Sequence, residues 1–261
     1  MKRLVNKALN LFDLRLVNQT SYSRLVANEE ISRMYKLFDA VDAEDFGVFK
    51  EACALSRSQL LQDVFALSQN SFKQGGFFVE FGSTDGVELS NSYLLEKHFG
   101  WTGILAEPAK CWHESLRQNR SAVIDTSCVW SKTGAILEFQ EVEFGDGHDP
   151  SLSTLRQFVK SDRHKKSRGK STSYAVETVS LEDLLIRHKA PRRIDYLSID
   201  TEGSEFEILA TFDFTAFEVG VISCEHNYTA NRERIHRLLS ANGFVRVLVE
   251  FSKFDDWYVR E

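Results

Sequence analysis

Residues 75–86, GGFFVEFGSTDG, restrict the folds open to this chain more than any other stretch. Phe77, Phe78, Val79 and Phe81 carry the aromatic and β-branched content of a buried strand, and Glu80, Gly82 and Gly86 form an ExGxxxG pattern at its carboxyl end. A glycine at position 82 lets the backbone come close to a ligand. Val87 to Phe99 reads as a helix, so the turn is expected at a helix start, in the crevice where open α/β sheets bind nucleotides. The next apolar run, WTGILAEP at 101–108, ends in Glu107, roughly 20 residues beyond the turn, where a ribose-binding acid belongs. Thr84 stands at the second glycine position of the GxGxxG fingerprint, which removes the pyrophosphate grip and favours a nucleoside without phosphates. The plainer alternative makes Glu80 and Glu107 helix caps.

Composition excludes several classes. A chain of 261 residues with 43% hydrophobic residues can bury one α/β core and is not disordered. Its net charge of -6 argues against general nucleic-acid binding. Cys53, Cys111, Cys128 and Cys224 show no CxxC spacing, so neither a zinc site nor a disulfide framework is expected, and a reducing cytoplasm is the expected compartment. Asn6, Asn10, Asp13 and Arg15 interrupt the basic, partly apolar start and leave no signal-peptide core. No run is long enough to span a bilayer, while peripheral contact with a membrane surface and homo-oligomerisation stay open.

Along the chain, residues 1–70 read as a helical extension packing on the core. Leu4, Ala8, Leu11 and Leu16 share one face, Ile31, Met34, Leu37 and Phe38 another, and Ser56 to Ser68 forms the last helix. Residues 71–261 form the α/β domain. After Glu107 come a short helix over Cys111 to Asn119, a third strand over Ala122 to Trp130, and a less regular insertion or lid over 131–172. Ala175 to Val179 is a strand, and in SLEDLLIRHK Ser180 caps a helix with Asp183 at its third position. In RIDYLSIDTEGSEFEIL, residues 193–209, an apolar strand again ends in an acid, Asp200, followed by Glu202, Gly203 and Glu205 at a helix start. Val219 to Cys224 delivers Glu225, His226 and Asn227 to the same edge. Asn231 to Asn242 is a helix stopped by Gly243, and FVRVLVE with DDWYVRE reads as a final hairpin.

In their order these stretches resemble the FkbM-type methyltransferases, which use S-adenosylmethionine on a class I Rossmann-like fold. The likeness is carried by VEFGSTDG, ILAEP, TVSLEDLL, IDYLSIDTEGSEFEIL and ISCEHN, and covers roughly residues 56–250. It implies a mostly parallel central sheet flanked by helices. It also implies that the methionine end of the cofactor meets Glu80, Gly82 and Asp200, that Ser83, Thr84 and Asp85 line the turn, that Glu107 holds the ribose, and that Cys128 and Val129 approach the adenine. Typical members carry DVGANxG where this chain has EFGSTDG, so a carboxylate is retained on a rearranged turn. The activity implied is O-methylation of a sugar hydroxyl in a glycan or a nucleotide-linked sugar. A lipid or small natural product is the alternative acceptor, and a silent Rossmann-like binding module is the alternative outside enzymes.

Methyl transfer needs an acceptor atom about 3 Å from the methyl carbon and a group to take its proton. His226 is the first candidate base, being the histidine expected at a carboxyl strand end, with Asp200 and Glu225 beside it. A second arrangement makes Asp200, Glu202, Glu225 and His226 a divalent-metal cluster that polarises the acceptor. Ser151 to Thr154 could close over the site. The run Arg163, Lys165, Lys166, Arg168 and Lys170 suits a phosphate-bearing acceptor or a membrane surface, or else is a solvated loop.

Overall fold

The computed structural model describes residues 18–21, 23–24, 35–145, 149–159 and 170–261. The chain divides into two units between Ala40 and Val41. In the first, residues 19–21, 23–24 and 35–39 are helical, and the Tyr35 and Phe38 rings stack. The faces built on Leu4, Ala8, Leu11, Leu16, Ile31 and Met34, and the basic positions Arg163, Lys165, Lys166 and Arg168, lie outside the described residues. No helix among the described residues is long and apolar enough to cross a membrane.

The second unit runs through α1 (Phe46–Leu55), α2 (Gln62–Ser68), β1 (Phe77–Phe81), α3 (Tyr93–Phe99), β2 (Thr102–Ala106), α4 (His113–Asn119), β3 (Val123–Asp125), β4 (Cys128–Trp130), β5 (Ile136–Val142) and β6 (Thr154–Leu155). It continues with β7 (Ser171–Ser180), α5 (Leu181–Arg187), β8 (Arg193–Ile199), α6 (Glu205–Leu209), β9 (Glu218–Glu225), α7 (Asn231–Ala241), β10 (Phe244–Val247) and β11 (Asp255–Arg260). Among the described residues, seven strands form one sheet in the order β10-β11-β9-β8-β1-β2-β3. β3, β2, β1, β8 and β9 are parallel, and β11 lies antiparallel between β9 and β10. Parallel strands are covered on both faces, which is why β1 and β8 read as near-continuous apolar runs. Val79, Phe81, Leu197 and Ile199 meet Ile104, Ile208 and Ile222 in the main core. From β1 the chain winds outward to β2 and β3, then returns to β8 on the other side of β1. The winding direction therefore reverses between the carboxyl ends of β1 and β8, where an open α/β sheet leaves a crevice.

Several sequence expectations are corrected. The helix expected over 87–99 covers only Tyr93–Phe99, because Ser90, Asn91 and Ser92 are drawn onto buried Glu80 and hold the chain out of helix. The single strand over 122–130 is two strands in different sheets, separated where Asp125 Oδ1 accepts the Ser127 N–H at 2.8 Å. The helix expected over 56–68 begins at Gln62, since the Ser56 and Ser58 hydroxyls donate to Asp63 and Leu61 takes a φ of 63°. The segment after Ser131 is more regular than expected. β5 pairs with β7 and β6 and, with β4, makes a second sheet over a small core of Ala109, Cys128, Phe139, Leu155 and Val176. The closing strands do pair with each other, but β11 is inserted into the main sheet rather than left on its edge.

Candidate functional site

The crevice begins with a close approach of two backbones. Gly82 follows the last residue of β1 with a φ of 73°, and a Cβ there would stand 2.0 Å from the carbonyl oxygen of Asp200, the first residue after β8. Only glycine fits. The turn then rises so that the Thr84 N–H donates to Glu107 Oε2 at 2.9 Å, while the Ala109 N–H donates to Oε1 at 2.8 Å. One backbone donor on each oxygen leaves each with a lone pair to spare, a match for two adjacent hydroxyls. Burial pushes the Glu107 carboxyl up to about 7, and Glu141 and Glu80 nearby add to the shift.

Glu80 is used differently from the sequence expectation. Its carboxylate is buried and accepts the Asn91 N–H at 2.7 Å, the Ser90 hydroxyl at 3.0 Å and the Ser92 hydroxyl. Arg120, whose side chain is wholly buried, donates to the Gly86 carbonyl and to the Ser90 and Ser92 hydroxyls, and to Glu96 at 2.8 Å. Glu80 thus holds the loop that walls the crevice, and Arg120 locks that loop to α4. Asp85 closes the turn by accepting the Val87 and Glu88 N–H groups, both at 2.9 Å. Ser83 is buried, and its Oγ has no partner among the described residues. Arg120 gave no signal in the sequence, since a lone arginine at a helix end is ordinarily solvated.

Two adjoining cavities open from the crevice. A narrow slot of about 50 Å³ runs between the sheets, walled by Glu107, Cys128, Val129, Phe139 and Leu155, with Gly82 and Thr84 at one end. Pro150, Ser151 and Ser153 also line this slot. A wider chamber of about 420 Å³ adjoins it, and five carboxylates line it, from Glu80, Asp149, Asp200, Glu202 and Glu225, with no lysine, arginine or histidine among its lining residues. Asp200, Glu202 and Glu225 each bring an oxygen within 4.8 Å of the others, an all-oxygen set of the kind hard divalent cations take.

Burial raises the Asp200 carboxyl to about 7 although Glu225 hydrogen-bonds to it, and it raises Glu225 well above the usual range, with Asp200 and Glu202 adding to the effect. Asp255, beside Glu225 across the β9–β11 pair, is pushed to about 8 by burial and by Asp200, and accepts from Gln62 Nε2 at 2.9 Å. Gln59 and Gln62 come from the segment read as an appendage, so that segment reaches the chamber wall. Neither glutamine could be assigned from local pattern, because topology alone brings them to the wall, and the same topology sets Asp255 behind Gln62.

His226 does not join this group. Its Nδ1 accepts the Tyr228 N–H at 2.9 Å and its Nε2 donates to the Asp255 carbonyl at 3.0 Å, so both ring nitrogens pin the corner after β9. Burial holds the imidazole down at about 4. With no lone pair to spare it is neither the base nor a fourth metal ligand in this arrangement. Of the residues the sequence assigned, the fold gathers Gly82, Thr84, Glu107, Cys128, Val129 and Asp200 on the slot and Glu80, Glu202 and Glu225 on the chamber, but not Ser83, Asp85 or His226.

The crowd of carboxyls predicts a pH dependence of stability. Asp200, Glu225, Glu107 and Asp255 have folded-state values raised above the roughly 4 of an unfolded chain. Their contribution is full below about 4 and is lost as pH climbs through 7 to 8. His226, lowered in the fold, opposes them only below about 6.5, where the unfolded imidazole takes up its proton. Between about pH 6.5 and 8 the carboxyls act alone, so the melting temperature of the ligand-free protein should fall across that window. A flat or rising profile in a thermal-melt series would contradict this.

A family model described as methyltransferase FkbM domain matches residues 80–257, from the end of β1 into β11. No curated protein matches the chain.

Proposed function

The chain belongs to the FkbM methyltransferase family, and from that premise we propose that it transfers a methyl group from S-adenosylmethionine to a hydroxyl oxygen of a carbohydrate. The strand order, with β11 antiparallel between β9 and β10 and the reversal between β1 and β8, supports a class I Rossmann-like assignment. The observation that carries the cofactor is Glu107, a buried carboxylate with one free lone pair per oxygen that lines the narrow slot together with Cys128, Val129, Phe139 and Leu155.

S-adenosylmethionine supplies a methyl group on a positively charged sulfonium. Gly82 makes room for close passage between β1 and β8, Glu107 takes the ribose diol, and Cys128, Val129, Phe139 and Leu155 provide apolar walls for a base. Asp200 stands on both cavities and is hydrogen-bonded to Glu225. Asp200 is the proton acceptor in this reading, because it stands where both cavities meet and burial raises its carboxyl to about 7, a range suited to general-base catalysis. The acidic, cation-free lining among the described residues repels phosphates, which favours a neutral glycan hydroxyl over a nucleotide-linked sugar.

Calorimetry with S-adenosylhomocysteine tests the reading. Wild-type protein should bind, and Glu107→Ala should weaken binding by about 1–3 kcal/mol through the lost hydroxyl contacts. Absence of binding to the wild-type protein would overturn the proposal.

A further inference from the structure

We propose that a third cavity, joined to the acidic chamber across Glu225 and Asn227, seats a neutral sugar ring of the acceptor, with the Asn227 amide hydrogen-bonding to one of its hydroxyls. The inference rests on the methyl-transfer reading and concerns its acceptor side. The cavity measures about 240 Å³ and shares Glu225 and Asn227 with the chamber. Asn227 is only 8% exposed, yet its side chain makes no hydrogen bond among the described residues. Asn91 Oδ1 is also unpaired but is sealed in the interior; the Asn227 amide is not, and the two cavities are what it opens on. The corner that presents it is held in place. Asn227 and Tyr228 take left-handed φ values of 45° and 56°, the Asn227 N–H donates to the Phe254 carbonyl at 3.2 Å, and the Tyr228 N–H donates to His226 Nδ1 at 2.9 Å. Non-glycine residues kept in that region are strained, and such strain gathers where a side chain must be aimed.

A mostly buried amide left unpaired is costly, and a site that keeps one is built for a partner that arrives with a ligand. An amide both donates and accepts, and so does a hydroxyl, so the two pair in either sense. Glu205 and Glu225 add acceptors to the cavity wall. Phe158 gives it an apolar side and packs on Gly203 so closely that a Cβ there would stand 3.0 Å from it. No lysine or arginine lines the cavity among the described residues, and the His226 imidazole has both nitrogens engaged, so a phosphate finds no counter-charge. Hydroxyls that meet an amide and carboxylates, and C–H groups that meet an aromatic ring, are what a neutral sugar presents. Glu225 is hydrogen-bonded to Asp200, so a ring seated here extends a hydroxyl past Asn227 toward the junction of the chamber and the nucleoside slot.

Saturation-transfer NMR tests the subsite with D-glucose, D-galactose, D-mannose and D-glucosamine as probes, each with and without S-adenosylhomocysteine. At least one neutral hexose should bind wild-type protein. Asn227→Gly removes the amide, and glycine suits the left-handed backbone, so the fold should hold. It should weaken that hexose by at least about fivefold, as for two lost hydrogen bonds, while S-adenosylhomocysteine stays within about twofold in calorimetry. Asn227→Asp keeps the corner and the side-chain size but loses the donor, and it should weaken the hexose as well. Hexose binding unchanged in either variant, or S-adenosylhomocysteine lost in parallel, overturns the proposal. Binding of glucosamine alone overturns it too, since the carboxylates would then be selecting an ammonium. Wild-type protein that binds S-adenosylhomocysteine but no hexose overturns the subsite and leaves the cofactor reading standing, whereas binding of a hexose without S-adenosylhomocysteine removes the cofactor reading and supports the subsite.

Discussion

Gly82→Ala is expected to destabilise the protein by about 2–5 kcal/mol and to abolish binding of S-adenosylhomocysteine. Two costs combine. The φ of 73° places a side chain in the left-handed region, and the new methyl meets the Asp200 carbonyl oxygen at 2.0 Å. The second cost has no cheap relief, because the obstacle is backbone and moving it means parting β1 from β8 where the sheet reverses. Against a typical stability of about 5–15 kcal/mol the variant would be marginal. Gly134 supplies the control, with a φ of 77° and nothing within 4 Å of its missing Cβ, so Gly134→Ala carries the conformational cost alone. Urea denaturation of both variants checks the argument. If Gly82→Ala costs no more than Gly134→Ala, close approach is not what requires the glycine.

The second large effect is expected at Asp200. Asp200→Asn should lower turnover by roughly 10²- to 10⁴-fold, the range for loss of a general base. The same substitution should raise the melting temperature at pH 8. It removes a half-buried acid whose ionised form the fold disfavours, and which sits against Glu225 with Asp255 nearby. Lower activity with higher stability is the signature of a group kept for function at the expense of the fold. A rate within a few-fold of wild type would remove Asp200 from the proton transfer, and a lower melting temperature at pH 8 would show that the half-buried acid is compensated in the ligand-free protein.

The parts of the site legible in the sequence were those written in local pattern. An apolar run that stops at an acid and a glycine marks the carboxyl end of a buried strand, because continuous burial and an abrupt turn each leave a compositional trace. Glu80 with Gly82 and Asp200 with Gly203 follow this rule, Glu107 and Glu225 end apolar runs in an acid alone, and all four acids line one of the two cavities. The helices near residues 56 and 87 begin later than their apolar spacing suggests for one shared reason. Buried carboxylates, Asp63 and Glu80, capture nearby serine hydroxyls and backbone donors and pull the chain out of the helix its apolar spacing suggests.

Roles, as distinct from positions, were not legible. His226 stands at a strand end, as its pattern says, yet a backbone donor and a backbone acceptor on either side of it engage both ring nitrogens. Ser131 to Thr172 reads as irregular because β5 is half exposed and pairs with β7 only across a long sequence separation. The sequence by itself determined which strand ends carry acids and which turn must be glycine, since these follow from the spacing of apolar and turn-forming residues along one segment. The tertiary structure alone decided that β8 returns beside β1, that Gln62, held by Asp255, lines the acidic chamber, that Arg120 locks the glycine loop and that Asn91 is left with an unpaired oxygen. Each of these depends on residues far apart in the chain meeting in a low-dielectric interior, where the pairing of charges and donors is set by sheet order rather than by neighbours in sequence.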